Sequence, residues 1–530
     1  MRATSLGHAG ILVETEHGSI VCDPWFVPAF FGSWFVFPRN DRLSPDLLAR
    51  VEAADHLYVS HLHADHLDEP WLRRHLSRDI TVLLPGYPTG ELERRLRGLG
   101  FTRFVRTVDG EPVGVGRGGR LEIAIHVETS IADGPQGDSA IVISDGRSRL
   151  VDQNDCRPHD PAALARHGPV DVHWLQYSGA IWYPMVYDEP EATKRAHAAA
   201  KVESQFARAL RYVDAVGACT VVGSAGPPAF LDPDLFGLNM IDGDEISIFP
   251  DQAEFLRRLE AAGIGTGRLL VPGSSVTVAP DGVRVEHDRP DAEVADVFRH
   301  KRAHLERYAA DWAGWLAEHR ASWHAPRPGL AGRMAEWFEP LLRSAPSVCR
   351  GIGAGIVLVA GDEQVLIDPL AAEVRPWRGE DHGYRFTIDR RLVENVVDQR
   401  AVDWSNALFL SLRFTAWRRG PFNEHVYNLF KSLSAERMVR TEAEAAAKLR
   451  PPDETDEAEE IVLGDYVVER YCPHRRADLG QFGVVDGHTL TCALHGWRFD
   501  LDTGACLTST DRHLRVRRHR PPGEGDGSAS

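Results

Sequence analysis

Four side chains near the C-terminus have the types and spacing of a metal-cluster site. Cys472 and His474 stand in YCPHRR and, after a 17-residue interval, Cys492 and His495 stand in TCALHGW. A two-iron, two-sulfur cluster takes thiolates on one iron, and neutral imidazoles in place of thiolates on the other raise its reduction potential by roughly hundreds of millivolts. Each loop here offers one ligand to each iron. The same set would also suit a structural zinc ion, although zinc modules more often use paired Cys-x-x-Cys knuckles. Gly480, Gly483, Gly487 and Gly496 suit tight turns between short strands, and Trp497 and Phe499 are suited to shield a cluster from water. Cys506, beyond the second pair, is expected to be buried rather than bound.

A second constellation lies near the N-terminus. The run HLYVSHLHADHLDEP sets His61, His63, Asp65 and His66 directly after an apolar strand, in a strand-to-helix loop. Two imidazoles can serve one metal while a carboxylate and an imidazole serve another, which is how a two-metal site holds and activates a bridging oxygen species. A lone histidine would carry no such implication.

These loops need scaffolds. From Met1 to about Val285, runs such as GILVE, SIVCD, ITVLLP and SAIVIS, separated by Gly, Pro and Asp, read as strands, and ATKRAHAAAKVESQFARALRYV reads as a helix. An α/β layered domain over residues 1–290 follows. Residues 291–440 read as an α+β region. There Val294, Val297, Phe298, Leu305, Tyr308, Trp312, Trp315 and Leu316 recur at helical steps and predict one amphipathic helix with an aromatic core stripe. GIVLVAGDEQVLIDP predicts a hairpin, and WSNALFLSLRFTAWRRGPFNEHVYNLFKSL predicts two helices split at Gly420-Pro421. Residues 441–460, acidic and holding Pro451 and Pro452, read as a linker into a small module at 461–520, and 521–530 as a disordered tail.

The bulk properties exclude several classes. A 530-residue chain exceeds one core's usual size, so several domains are expected. A formal charge of -17 without a Lys/Arg block argues against a nucleic-acid or anionic-membrane surface. No apolar run approaches membrane-spanning length and the N-terminus lacks the pattern of a signal peptide, so a cytoplasmic location is expected. The seven cysteines do not form a disulfide pattern.

The C-terminal segment resembles the Rieske [2Fe-2S] domains of oxygenases and their ferredoxins, including the HGWRFDLDTG run after the second ligand pair. Respiratory Rieske proteins carry a further Cys in each loop, which is absent here, so the resemblance implies the oxygenase or ferredoxin branch and a small all-β fold. The HLHADH run resembles the metallo-β-lactamase superfamily, which implies an αββα sandwich with metals between the inner sheets. The resemblance assigns Asp23 in VCDPW to orienting the ligand loop and Asp155 in LVDQNDCRP to bridging. It places a third metal ligand near LEIAIHVETS, where His126 and Glu128 share a strand face. The superfamily's final His has no counterpart, Asp251 in IFPDQ standing nearest. That departure favours iron with carboxylate ligands over a hydrolytic dizinc site, with zinc as the alternative metal.

Both modules in one chain are similar to the cytidine monophosphate N-acetylneuraminic acid hydroxylase family. GHAGILVETEHGSIVCDPWFVPAF, LYVSHLHADHL, DSAIVISDGRSRLVDQNDCRP and VDWSNALFLSLRFTAWRRGPFNEHVYNLFKSL carry the similarity. That family places its Rieske module first and this chain places it last. The resemblance implies an oxygenase with one or two non-heme irons, in which Asp65 and Asp155 serve catalysis and the cluster delivers electrons from an external ferredoxin or reductase to O2. The substrate would be a small polar metabolite, hydroxylated or N-oxidised. Tyr177, Ser178, Trp182 and Tyr183 are candidate substrate contacts, and Arg413, Arg418 and Arg419 are either an anion site or a solvated helix face. No nicotinamide fingerprint is present, since GIGAGI at Gly351 to Ile356 precedes a strand. The rival readings are a metal-dependent hydrolase with a redox-sensing Rieske domain, and an electron carrier whose lactamase-like half only docks a partner.

Overall fold

The computed structural model describes residues 1–129, 137–448, 459–474, 476–494, 496–509 and 512–519. Two units emerge: Met1–Arg418 with His425–Ala446, and Arg419–Glu424 with Ala447–Ser530.

In the first unit, strands alternate their side chains between two buried faces. In Gly10–Thr15, Ile11 and Val13 enter the core between two sheets, while Leu12 joins a helix-facing cluster. An eight-stranded sheet runs Gly282–Glu286, Ser275–Ala279, Arg2–Gly7, Gly10–Thr15, Gly18–Cys22, His56–Tyr58, Thr81–Leu84, Arg103–Arg106. A seven-stranded sheet runs Gly267–Arg268, Thr220–Ser224, Val172–Gln176, Arg149–Asn154, Asp138–Ser144, Leu121–Glu128, Val113–Val115. Their inner faces share Ile11, Ile20, Tyr58, Leu121, Ile141, Trp174 and Val222 in one cluster. Helices Pro45–Glu52, Glu69–His75 and Glu91–Gly98 cover the first sheet through Leu47, Val51, Trp71, Leu72, Leu92 and Leu96. Glu191–Val216 contributes Val216 to the cluster outside the second, with Ala124, Val142 and Val151. This is the expected αββα metallo-β-lactamase-like sandwich.

The sandwich brings chemistry to one place because Gly18–Cys22, His56–Tyr58 and Arg149–Asn154 each pair in parallel with a neighbour, and their carboxyl ends lead into Asp23, the Ser60–His66 loop and Asp155. Ligand loops gather at carboxyl ends in such sheets.

The helix expected from residue 291 is two helices, Asp291–Arg299 and Lys301–Ala321, because His300 leaves the helical region at φ -116°, ψ 42°. Leu305, Tyr308 and Leu316 are core as expected, packed with Phe35, Phe37, Ala229 and Leu231, while Trp312 and Trp315 are partly buried. The helices therefore share a core with the sandwich, and the chain does not part at residue 290.

A five-stranded sheet follows: Glu373–Pro376, Glu363–Asp368, Ile356–Ala360, Tyr384–Ile388, Phe414–Arg418. The expected hairpin is present, as Ile356–Ala360 against Glu363–Asp368. The first of the two expected helices after Trp404 is instead a 3-10 turn, Phe409–Ser411, and the strand Phe414–Arg418. Leu412 turns the chain at φ 56°, after which Phe414 and Ala416 alternate inward with a period of two, pairing Ala416 with Phe386. The second is present as Glu424–Lys431. Residues 441–448, read as linker, belong to the helix Ala435–Lys448, whose Thr441 and Ala445 are buried. The rest of that linker up to residue 458, and the tail 521–530, lie outside the described residues.

The second unit holds two three-stranded antiparallel sheets, Glu460–Leu463, Tyr466–Glu469, Val516–Arg518 and Gly483–Asp486, Thr489–Cys492, Trp497–Asp500, with one helical turn, Leu479–Phe482. Leu479, Phe482, Leu490, Leu494, Phe499 and Leu514 form its buried interior.

Candidate metal centres

The N-terminal centre is built around Asp23, fully buried at φ 41° directly after Gly18–Cys22. A non-glycine residue in the left-handed region stores strain that the surrounding contacts must hold. Here Asp23 Oδ1 accepts from Ser60 N at 2.7 Å, and Oδ2 accepts from Ser60 Oγ at 2.6 Å and His66 Nδ1 at 2.8 Å. With Nδ1 committed as a donor, His66 presents Nε2 as the ligand atom, the usual way a carboxylate fixes a metal-binding imidazole.

Around that atom the structure gathers Asp155 Oδ1 at 3.7 Å and Asp65 Oδ2 at 4.0 Å. His61, His66 and Asp155 place one ligand atom each within 4.8 Å of one another, and so do His8, Asp65 and His66. His63 joins through Nδ1, 2.7 Å from His61 Nε2. Among the described residues, four buried atoms here, His66 Nε2, Asp65 Oδ1, Asp155 Oδ1 and His8 Nδ1, have no hydrogen-bond partner. Buried polar atoms are rarely left so, and a cation would satisfy them together. The residues fit a metal.

The electrostatics agree. Burial opposes charge on His66, yet the carboxylates Asp23, Asp155 and Asp65 outweigh it and hold the imidazole well above its ordinary range. Against its own burial, Asp65 is held below the usual carboxylate range by His66 and His8. Burial pushes Asp155 up despite His66 and His61, and burial with His61 pushes His63 well down. His61, also buried, is raised by Asp138. The buried carboxylates that hold protons on His66 and His61 favour positive charge at this point, and a metal ion taking the place of those protons would supply it.

In the second unit the two cysteine loops are built alike. Arg476 N donates to Cys472 O at 2.8 Å, and Gly496 N donates to Cys492 O at 2.7 Å, so each loop closes four residues after its Cys. Both closing residues are left-handed, at φ 55° and 74°. Cys472 and Cys492 are buried and none of the seven cysteines is in a disulfide. His474 is buried and stacks on Trp497, ring centroids 4.0 Å apart and 15° from parallel. His495 lies outside the described residues. Two buried thiols in matching loops, one beside a shielded imidazole, fit a mixed-ligand iron–sulfur cluster.

Two family models match the chain: Rieske [2Fe-2S] domain over residues 457–516, and Rv3818-like, SCP2-like domain over residues 330–447. Rv3818 of Mycobacterium tuberculosis, named as a Rieske 2Fe-2S iron-sulfur protein, is 43% identical over 524 residues, covering 98% of this chain and 100% of the relative. The chain belongs to this Rieske protein family. A Mycolicibacterium smegmatis protein of the same description is 43% identical over 529 residues, again 98% of this chain and 100% of the relative. More distantly, the cytidine monophosphate-N-acetylneuraminic acid hydroxylase of Mus musculus is 27% identical over 223 residues, 40% of this chain and 35% of that one. Among solved structures, CmlA, a diiron beta-hydroxylase from Streptomyces venezuelae, aligns at 20% identity and a TM-score of 0.34, covering 54% of each chain.

The remaining sequence candidates for the N-terminal centre separate in the structure. His126 points its Nε2 at His167 Nε2, 2.9 Å away, and enters neither ligand group. Glu128 accepts from His159 and also enters neither ligand group, whereas its cross-strand neighbour Asp138 has Oδ1 3.2 Å from His61 Nδ1. Asp251 is elsewhere. It caps the helix Gln252–Ala261, accepting from Glu254 N at 3.2 Å, and pairs with Lys301 at 3.1 Å. Asp followed three residues later by Glu is a helix-start pattern, which accounts for Asp251 without a metal.

Tyr177 and Trp182, expected to face substrate, are core. Tyr177 stacks on Phe255 at 4.6 Å and donates to Gly226 O at 3.0 Å, and Trp182 meets Phe409 at 5.4 Å. Ser178 is buried, and Tyr183 lies under Arg418, 5.1 Å from the ring centre. Arg413 is on neither an anion site nor a solvated face: it is paired with buried Asp232 at 2.6 Å. Cys506 is half-buried, its Sγ accepting from Ser509 N at 3.4 Å.

Two residues of the centre escaped the sequence reading. His8, at φ 54° in the tight turn between Arg2–Gly7 and Gly10–Thr15, sets Nε2 3.1 Å from Asp65 Oδ2. Its only local signal is a histidine inside the GHAG hairpin turn. Asp138 opens the strand Asp138–Ser144 and has no local signal at all.

Proposed function

We propose that this chain is a Rieske-coupled, iron-dependent oxygenase acting on a small polar metabolite. The observation that carries the reading is the buried N-terminal ligand set, in which His66 is shared between Asp65 and Asp155, on the same chain as the paired cysteine loops. Iron would be held by His61, His63, Asp65, His66 and Asp155. The cluster would be held by Cys472, His474, Cys492 and His495. When bound, the cluster supplies single electrons and the iron supplies oxygen activation.

The chain's own work is positional. Asp23 and Ser60 hold the ligand loop, the Asp23 carboxylate keeps the His66 proton on Nδ1, and His8 steadies Asp65. The two inner sheets exclude water behind the site through Tyr58 and Ile141. Asp65 and Asp155, whose carboxyls are pushed in opposite directions, are the residues we assign to catalysis. With no nicotinamide fingerprint in the sequence, we assign the electrons to an external ferredoxin or reductase. Among the described residues no helix is long and apolar enough to cross a membrane. Cysteines without disulfides suit the reducing cytoplasm we propose as its location.

Oxygen uptake tests this reading. Chemically reduced protein should consume O2, with iron in both centres by metal analysis. Cys472→Ser should stop reductant-driven uptake while retaining N-terminal iron, and His61→Ala should stop it while retaining the cluster spectrum. Zinc in the N-terminal centre, together with turnover of a substrate in the absence of O2, would instead establish a hydrolase.

A further inference from the structure

The cysteine-loop unit includes a segment from outside the range matched to the Rieske domain: Arg419–Glu424. Its last residue, Glu424, is buried at 4% exposure. A buried carboxylate is expensive unless paired, and Glu424 is paired three ways. Its Oε1 accepts from Lys448 Nζ at 3.0 Å and from Arg512 Nη2, and its Oε2 lies 3.8 Å from His474 Nε2. Arg512 also lies over the Trp497 ring, 6.0 Å from its centre, and Trp497 carries His474 on its face. One connected cluster of Lys448, Arg512, Glu424, Trp497 and His474 results.

The geometry points to Glu424 as a positioning residue for the iron–sulfur cluster: it occupies the Nε2 side of His474, leaves Nδ1 as the nitrogen offered to iron, and holds the reduction potential down. At 3.8 Å from Nε2 the carboxylate is beyond hydrogen-bond reach and acts on the ring through its charge. One-electron reduction adds one negative charge to the cluster, taken from the external donor, with no bond made or broken. A carboxylate beside a cluster ligand disfavours that added charge. Lys448 and Arg512 favour it, so the potential reflects the balance of the three.

The inference rests on the bound cluster and not on the oxygenase reading. Its test is a mediator-coupled reductive titration of the full-length, cluster-loaded chain, followed by EPR without O2 or substrate, so either proposal can fail alone. Glu424→Gln should shift the one-electron reduction equilibrium toward the reduced state by about tenfold, roughly 59 mV upward, with an unchanged cluster absorption spectrum. Lys448→Met, which removes a positive charge, should move the potential down. An intact Glu424→Gln cluster with wild-type potential would overturn the assignment. Should Glu424→Gln fail to load the cluster, a Lys448→Met potential that stays put or rises overturns it equally.

Discussion

His8 Nε2 and Asp65 Oδ2 lie 3.1 Å apart in the interior although 57 residues separate them in the chain. The first strand turn thus delivers an imidazole to the carboxylate of the HLHADH loop. Whether His8 contacts the metal or only steadies Asp65, its removal loosens the same carboxylate. His8→Ala should weaken metal retention by about 10–100-fold, read as metal remaining after dialysis against graded chelator concentrations. Wild-type retention would remove His8 from the centre.

Asp23 is the acceptor for three donors at once, Ser60 N, Ser60 Oγ and His66 Nδ1. Asp23→Ala leaves those buried donors unsatisfied, at about 1–3 kcal/mol each. A loss of about 3–5 kcal/mol in urea unfolding is expected, the usual range for breaking a buried charged pair, accompanied by loss of N-terminal metal. A variant of near wild-type stability would show that the loop holds itself.

His173, fully buried on Val172–Gln176 and hydrogen-bonded through Nε2 to Gln153 Oε1 at 2.9 Å, is pushed down by burial to about 3. An unfolded imidazole protonates near 6.5, by the ordinary value of about 6.5. Between those two values the unfolded state binds the extra proton, so stability is full above the unfolded value and falls as pH falls through the window. The slope is at most about 1.4 kcal/mol per pH unit for one group. His173→Gln should flatten the acid limb of a stability profile measured between about pH 6 and 4. An unaltered slope would assign the acid sensitivity elsewhere.

Cys492 and Cys506 should part sharply. Cys492 is buried in a ligand loop, whereas Cys506 is half-buried and bonded to Ser509 N. Cys492→Ser should abolish the cluster's visible absorption and EPR signal, and Cys506→Ser should preserve both. Loss of the signal on Cys506 substitution would make the ligand assignment wrong.

Much of both centres was legible because each is built from ligands close in sequence. His61, His63, Asp65 and His66 share one loop after one strand, and the Cys472 and Cys492 loops repeat a pattern that short-range geometry alone can satisfy. The strands of the sandwich were legible for the same reason, since alternation in GILVE or SAIVIS is local. The strand Phe414–Arg418 was not: its aromatic and apolar residues suit a helix until Leu412 turns the chain and Tyr384–Ile388 supplies a partner.

By itself the sequence determined the chemistry on offer: thiolates and imidazoles for an iron–sulfur cluster, and imidazoles with carboxylates for a second metal. Tertiary structure decided which distant residues join them. Packing of the two sheets brought Asp138 to His61 and the first hairpin turn set His8 toward Asp65, while helix capping took Asp251 away and burial put Glu424 beside His474. The physical reason is that a ligand's identity is a property of its side chain, whereas its neighbours are fixed by sheet register, turn geometry and the need of every buried charge for a partner.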